Sequence, residues 1–414
     1  MTKKVILVWF RNDLRLHDNE VLHEAVQKGD IVIPVYFFDP RYFSRNRLGF
    51  RNTGILRAKF LIDAVAHFKS SLQGIGADLL VFHGKPEDSI GTLCAKYEVT
   101  EVYHHREVAQ RETKISELVE EALWQERINL KHFIGHTLYH KEDLPIPIKD
   151  VPDSFSSFKK KVEKESFVRP VLPPVGHVTT HPHLEETSIP TLEQLGFSPE
   201  EIALPGNQNN LLPGGEEKAL EMIETTLSAD YNAIDDYNLI SPYIANGAVS
   251  PAFYYHKIKE HYQTSNKKKY ERLIMRLLWR DYFRFMLKKY PNIFFKPHTT
   301  GQEASIASGD RLKELLEKGS DHPVINAFIH KMQTEGILSY EYRDILAAYM
   351  LQEWNIDHLT GACFFEEHVL DYAPATTYGY WLHTAGAGTS SKDNLKVSWE
   401  ALMKKNYQVP KPSK

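Results

Sequence analysis

Cysteine is almost missing from this chain: only Cys94 and Cys363 occur in 414 residues. That excludes a disulfide framework and any cysteine-rich zinc or iron–sulfur site. Long apolar runs are absent too, and none reaches the roughly 18 residues that a membrane span needs. Met1–Lys4 leads straight into a strand-like run without the plan of a signal peptide, which predicts an intracellular, cytoplasmic protein. No GxGxxG follows a strand and no Walker A sequence is present. Gly74-Ile75-Gly76 precedes a strand instead of following one, so any nucleotide is held by other means. His177, His181 and His183 sit close together, but no HExxH arrangement accompanies them, and no metal site is predicted. Net charge is only −4, so global electrostatics do not announce a nucleic-acid partner.

What is present is organised in two halves. A chain of this length exceeds one typical core, so two domains are the starting expectation. Over residues 1–135, apolar β-rich runs at Val5–Phe10, Ile31–Phe38, Asp78–His83, Val102–His104 and Asn129–Phe133 alternate with helical patterns. Leu56, Phe60, Ala64, Phe68 and Leu72 recur every four residues, the spacing of one helix face. This alternation predicts an α/β domain with an open, five-stranded parallel sheet of Rossmann-like type, covered by helices on both faces. Residues 136–215 carry many prolines and close on Pro213-Gly214-Gly215, so they read as a connector with short helices at Phe155–Glu163 and Thr191–Leu195. Residues 216–414 read as all-helical, with Ser250-Pro251 giving an N-cap and a first-turn proline. Between Lys257 and Lys296, twelve Lys or Arg stand against Glu260, Glu271 and Asp281. Arg272, Arg276, Arg280, Arg284 and Lys288 form a stripe that either meets a polyanion or is simply solvated or paired internally.

Specific motifs narrow this further. Trp9-Phe10-Arg11-Asn12-Asp13-Leu14-Arg15 runs on to His17-Asp18-Asn19. Gly135-His136-Thr137-Leu138-Tyr139-His140 is followed by Asp143-Leu144-Pro145, and Trp279-Arg280-Asp281-Tyr282-Phe283-Arg284 lies in the second half. Together they resemble the photolyase/cryptochrome family, and the second motif resembles its DASH branch. The resemblance spans nearly the whole chain, which is expected to lack the further helices that most relatives have after the position of Gly388. It implies an N-terminal antenna domain, a helical domain holding bent FAD, and blue-light electron transfer from FAD to pyrimidine dimers in single-stranded DNA, or light sensing. By the same resemblance Tyr231, Ser241, Arg280, Arg343, Asp371 and Thr377 are expected at the flavin. Trp381 is expected nearest to it in an electron relay, with Trp279 beside the pocket, His358 at the second relay position, and Glu107 contacting a folate antenna.

Departures cluster at that same site. Arg276 stands where the family has a glutamate that binds the lesion, and Tyr340-Glu341 replace an Asn-Arg pair. Ala373 and Thr377 replace an aspartate and an asparagine, and His358 replaces a relay tryptophan. The stretch Asp235-Asp236-Tyr237-Asn238 lacks the usual hydroxyl and basic groups around a diphosphate. Weak repair is therefore expected. A second reading stays open: a non-catalytic binding or regulatory descendant with a degraded flavin pocket. Arg343 and Asp371 would then be a buried structural pair, and Trp279 and Trp381 core residues.

Overall fold

The computed structural model describes residues 3–208, 212–228, 236–262, 267–297, 302–390 and 397–407. In the N-terminal half, β1 (Val5–Phe10), α1 (Glu20–Lys28), β2 (Ile31–Phe38), α2 (Ile55–Gly74), β3 (Leu80–His83), α3 (Pro86–Lys96), β4 (Glu101–His105), α4 (Gln110–Gln125) and β5 (Asn129–Phe133) alternate. The strands form one parallel sheet in the order β3-β2-β1-β4-β5. β1 and β2 are buried along their whole length because side chains of alternate parity enter two different cores. Ile6, Val8 and Phe10 pack with Phe68 and Leu72 of α2, whereas Val5, Leu7 and Trp9 pack with Leu93 of α3 and Val119 of α4. The sheet order reverses direction between β1 and β4, where such folds leave a crevice at their strand ends.

The connector contains α5 (Phe155–Glu165), capped by Ser154, and a short α6 (Pro199–Ala203). The helix expected at Thr191–Leu195 is a single turn: Leu195 N–H reaches Thr191 O, and Gly196 at φ 89° then ends it. The α6 helix was not foreseen, although Ser198 and Glu201 form a reciprocal capping box there.

The C-terminal half is helical: α7 (Glu216–Leu227), α8 (Asp236–Ala245), α9 (Pro251–Glu260), α10 (Lys267–Lys289), α11 (Gln302–Lys318), α12 (Pro323–Glu335), α13 (Tyr340–Gln352), α14 (His358–His368), α15 (Pro374–Thr384) and α16 (Trp399–Asn406). As expected, Ser250 Oγ accepts from Phe253 N–H, with Pro251 in the first turn of α9.

Buried polar contacts, most of them from the Trp9–Asn19 motif, fix the two halves to each other. Arg15 donates to Gly247 O (2.9 Å), and Glu216 accepts from the N–H groups of Leu16 and His17. Gly247 has φ 75°, and a Cβ there would lie 1.7 Å from Asn12 O, so only glycine permits this approach. Asp281 of α10 accepts from Leu138 N–H and Tyr139 N–H, both at 2.9 Å, pinning the connector to the helical half.

Candidate functional site

Four helices of the C-terminal half enclose a cavity of about 180 Å3. α10 contributes Arg276, Trp279, Arg280 and Phe283, which share one face because they recur at helical spacing. From α15 and the residue before it come Ala373, Thr376, Tyr380 and His383, again one face. Tyr237 and Ser241 come from α8, and Tyr340 and Asp344 from α13. Asp371, just before α15, lies at its floor.

Asp371 organises that floor. Ser241 Oγ donates to its Oδ2 (2.7 Å), as do Arg343 Nη1 (3.1 Å) and Tyr340 Oη (3.3 Å). Oδ1 forms an ion pair with Arg343 Nη1 at 3.0 Å and, among the described residues, accepts no hydrogen bond. Burial opposes the charge on Arg343, yet Asp371 outweighs it and holds the guanidinium above its ordinary value. The Tyr340 ring lies between two guanidinium groups, 4.3 Å from that of Arg276 and 4.7 Å from that of Arg343. Its phenol is pushed well up by burial and then by Asp371. Arg276 Nη2 also reaches Glu341 Oε1 at 3.1 Å. Three of the sequence departures, Arg276, Tyr340 and Glu341, are thus one mutually compensated cluster.

Arg280 is buried and donates to His136 O; burial, then the neighbouring Arg284, lowers its pKa to about 10. Trp279 stacks on Phe155, with centroids 3.7 Å apart and planes at 6°, and His383 lies 5.1 Å from it.

The expected residues separate into groups. Ser241, Arg280 and Asp371 meet at the cavity, and Trp279 forms part of its wall. Arg343 stands behind the Tyr340 ring and does not line the cavity. Trp381 is wholly buried against α14, where a Cβ on Gly361 would meet its ring at 2.3 Å; among the described residues its indole Nε1 has no hydrogen-bond partner. Thr377 is buried off the cavity, and the neighbouring Thr376 faces it instead. His358 opens α14 as a buried residue away from the lining. Tyr231 and Asp235 lie outside the described residues.

Glu107 lies elsewhere, where the two halves meet. Its Oε1 accepts from Asn12 Nδ2 (3.0 Å) and its Oε2 from Arg284 Nη2 (2.8 Å), with His136 Nε2 3.4 Å away. Each carboxylate oxygen thus accepts one hydrogen bond within the protein, and Glu107 also lines a cavity between the two halves. The basic stripe also departs from a simple solvated face. Arg272 is exposed, but Arg280 and Arg284 are buried because a spacing of four drifts around a helix of 3.6 residues per turn.

Asp344, Tyr380 and His383 were not singled out from the sequence, and Tyr237 only as part of a departing stretch. The spacing of Ala373, Thr376, Tyr380 and His383 on one helical face was the available signal for two of them. Asp344 is held by Tyr380 Oη (2.9 Å), and burial pushes its carboxyl up.

Known proteins share this architecture and this chain pattern. The family described as DNA photolyase matches residues 6–176, and the FAD binding domain of DNA photolyase matches residues 273–406. The chain is 33% identical to the cryptochrome DASH of Gloeobacter violaceus, over 95% of this chain and 81% of that protein. It is 34% identical to the cryptochrome DASH of Xenopus laevis, over 95% and 79%. The crystal structure of a Synechocystis cryptochrome superposes with a TM-score of 0.85 at 30% identity, covering 98% of this chain and 87% of that one. A class III photolyase from Agrobacterium tumefaciens shares the fold with a TM-score of 0.79 at 20% identity, over 98% and 84%.

Proposed function

The chain belongs to the cryptochrome DASH branch of the DNA photolyase family, and from that premise we propose that it is a blue-light flavoprotein whose helical half holds FAD at Asp371. Bound FAD supplies light-driven one-electron chemistry. The observation that carries this reading is the buried Asp371 carboxylate, fixed by Ser241 and Arg343 yet keeping Oδ1 without a hydrogen bond. A buried acceptor left open suits a ligand that brings an N–H donor, as the ring of a flavin does.

The fit is to the ring end of the cofactor. A cavity of about 180 Å3 is smaller than the roughly 300–1,000 Å3 of ordinary ligand pockets. Room for a whole dinucleotide requires the Tyr340 ring to turn away from Arg343. Ser241, Asp371 and Arg280 then hold and orient the cofactor, while Tyr237, Phe283 and Trp279 exclude water. The buried Trp381 is the proposed internal donor, and His358 its weak successor.

DNA is the proposed partner, with a damaged base extruded from its stack at a cost of a few kcal/mol. Trp279 and His383 offer faces on which such a base stacks. The Arg276–Glu341 pair and Tyr340 narrow the same cavity, so efficient accommodation of two linked pyrimidines is not expected. The proposed division of labour is an N-terminal half of residues 1–135, a connector of 136–215 and a helical half of 216–414, acting in the cytoplasm. A flavin-free binding module is the second reading, favoured by the screening of Arg343 behind Tyr340. Light-dependent repair of a thymine-dimer oligonucleotide, single-stranded against duplex, tests the enzymatic part. Slow or undetectable repair, better on single strands, is expected. Rapid turnover would overturn the inference drawn from Arg276 and Glu341.

A further inference from the structure

The cavity above Asp371 has a buried floor and a half-buried mouth. Asp371, Ser241 and Tyr237 form the floor, whereas Arg276, Trp279, Asp344, Thr376, Tyr380 and His383 are only partly covered. This mouth carries two polar groups that the protein itself leaves open. Tyr380 Oη donates to Asp344 Oδ1 at 2.9 Å, while Asp344 Oδ2 makes no hydrogen bond or ion pair among the described residues. Thr376, one turn before Tyr380 on the same face of α15, has a buried Oγ1 with no partner among the described residues.

An acceptor and a hydroxyl left open in a partly desolvated wall are costly unless a ligand meets them. The cations nearby are engaged elsewhere. Arg276 pairs with Glu341 over the Tyr340 ring, and Arg343 holds Asp371 behind that ring. Burial raises the Asp344 carboxyl in spite of the Arg276 charge, as it would not for a solvated carboxylate. Tyr380 fixes one carboxyl oxygen and thereby aims the other. An oxygen so placed suits a ring N–H, and a threonine hydroxyl beside it suits a ring carbonyl. The pairing edge of thymine or uracil offers both groups side by side, and that edge is free only when the base is unpaired. Trp279 and His383, with ring centroids 5.1 Å apart, supply stacking faces next to these groups.

We propose that Asp344 is the specificity-determining residue of this mouth: its Oδ2 accepts the ring N–H of one extruded base, while Thr376 Oγ1 donates to the adjoining carbonyl. The assignment rests on the reading of this cavity as the place where a base enters. Dark fluorescence titrations of the full chain test it, using short single-stranded abasic oligonucleotides that carry one central thymine or one N3-methylthymine. The methylated base keeps both carbonyls but lacks the N–H. Thymine should bind at least about tenfold more tightly, the size of one unmet buried hydrogen bond. Asp344→Leu keeps the bulk and removes the acceptor, so it should weaken thymine about tenfold, leave N3-methylthymine unchanged and abolish the preference. Thr376→Val should weaken both probes alike, because both retain the carbonyls. Equal affinities in the parent, or a preference that persists in Asp344→Leu, overturns the role of Asp344 and leaves base entry standing. Absence of binding by both probes overturns base entry and this assignment together. Neither result depends on light, and the flavin content of the same sample reports the cofactor assignment separately.

Discussion

Replacing Glu107 by Gln separates an anchor between the two halves from a ligand contact. Glu107 and Arg284 side chains are each 7% exposed, and their 2.8 Å contact is made where both halves bury polar groups. The neutral amide keeps the shape but leaves the Arg284 guanidinium buried without its counter-charge. Breaking a buried pair by removing one partner costs about 3–5 kcal/mol. Since the introduced amide still offers one carbonyl oxygen to Arg284, the lower end, about 3 kcal/mol, is expected. Urea unfolding followed by fluorescence measures it as a lower midpoint. Acid adds a second signature. Burial raises the Glu107 carboxyl, but the guanidinium groups of Arg284 and Arg11 and the Asn12 amide outweigh it and hold it well below its ordinary value. Its stabilisation is therefore complete above the unfolded value of about 4.3 and is lost as pH falls through the lower folded value. In Glu107→Gln that part of the acid arm disappears. Replacing both members, as Glu107→Leu with Arg284→Met, should recover much of the loss, because no charge is then stranded. A cost below about 0.5 kcal/mol for Glu107→Gln would refute the anchoring argument.

The histidines give a milder pH response. Burial lowers the pKa of His104 and His136 well below the ordinary value, so each favours folding above about pH 6.5 and loses that contribution as pH falls toward its folded value. Stability should decline between about pH 7 and 5, and His104→Phe, which keeps the stack on Trp9, should flatten the slope; equal slopes would exclude His104 as a contributor. For the cluster at the cavity mouth, a double-mutant cycle of Arg276→Ala and Glu341→Ala should give a coupling near about 1 kcal/mol, modest because both side chains are about one-fifth exposed. Zero coupling would mean that the two departures do not compensate each other.

Much of the fold was legible because burial leaves a period in the sequence. Ile31–Phe38 is apolar throughout because both of its faces are covered, and Leu56 to Leu72 repeats at helical spacing because one side meets the sheet. The turn at 191–195 was overread because a single apolar turn looks like the start of a helix until Gly196 reverses the chain. At the site, spacing placed Arg276 and Arg280 in one basic stripe but could not say what stands in front of what. Arg343 pairs with Asp371, yet Tyr340, from the same helix, covers it. Glu107 follows β4 as expected, but the partners that occupy it come from residues 12 and 284, far apart in sequence. Periodicity carries no record of such contacts.

Whether the helical half holds a flavin against Asp371 is read from the visible absorbance of freshly purified protein. The preparation should be yellow, with near-stoichiometric flavin, and Asp371→Ala should lose that colour while the chain remains folded. Colourless protein that also fails to take up added FAD would contradict it.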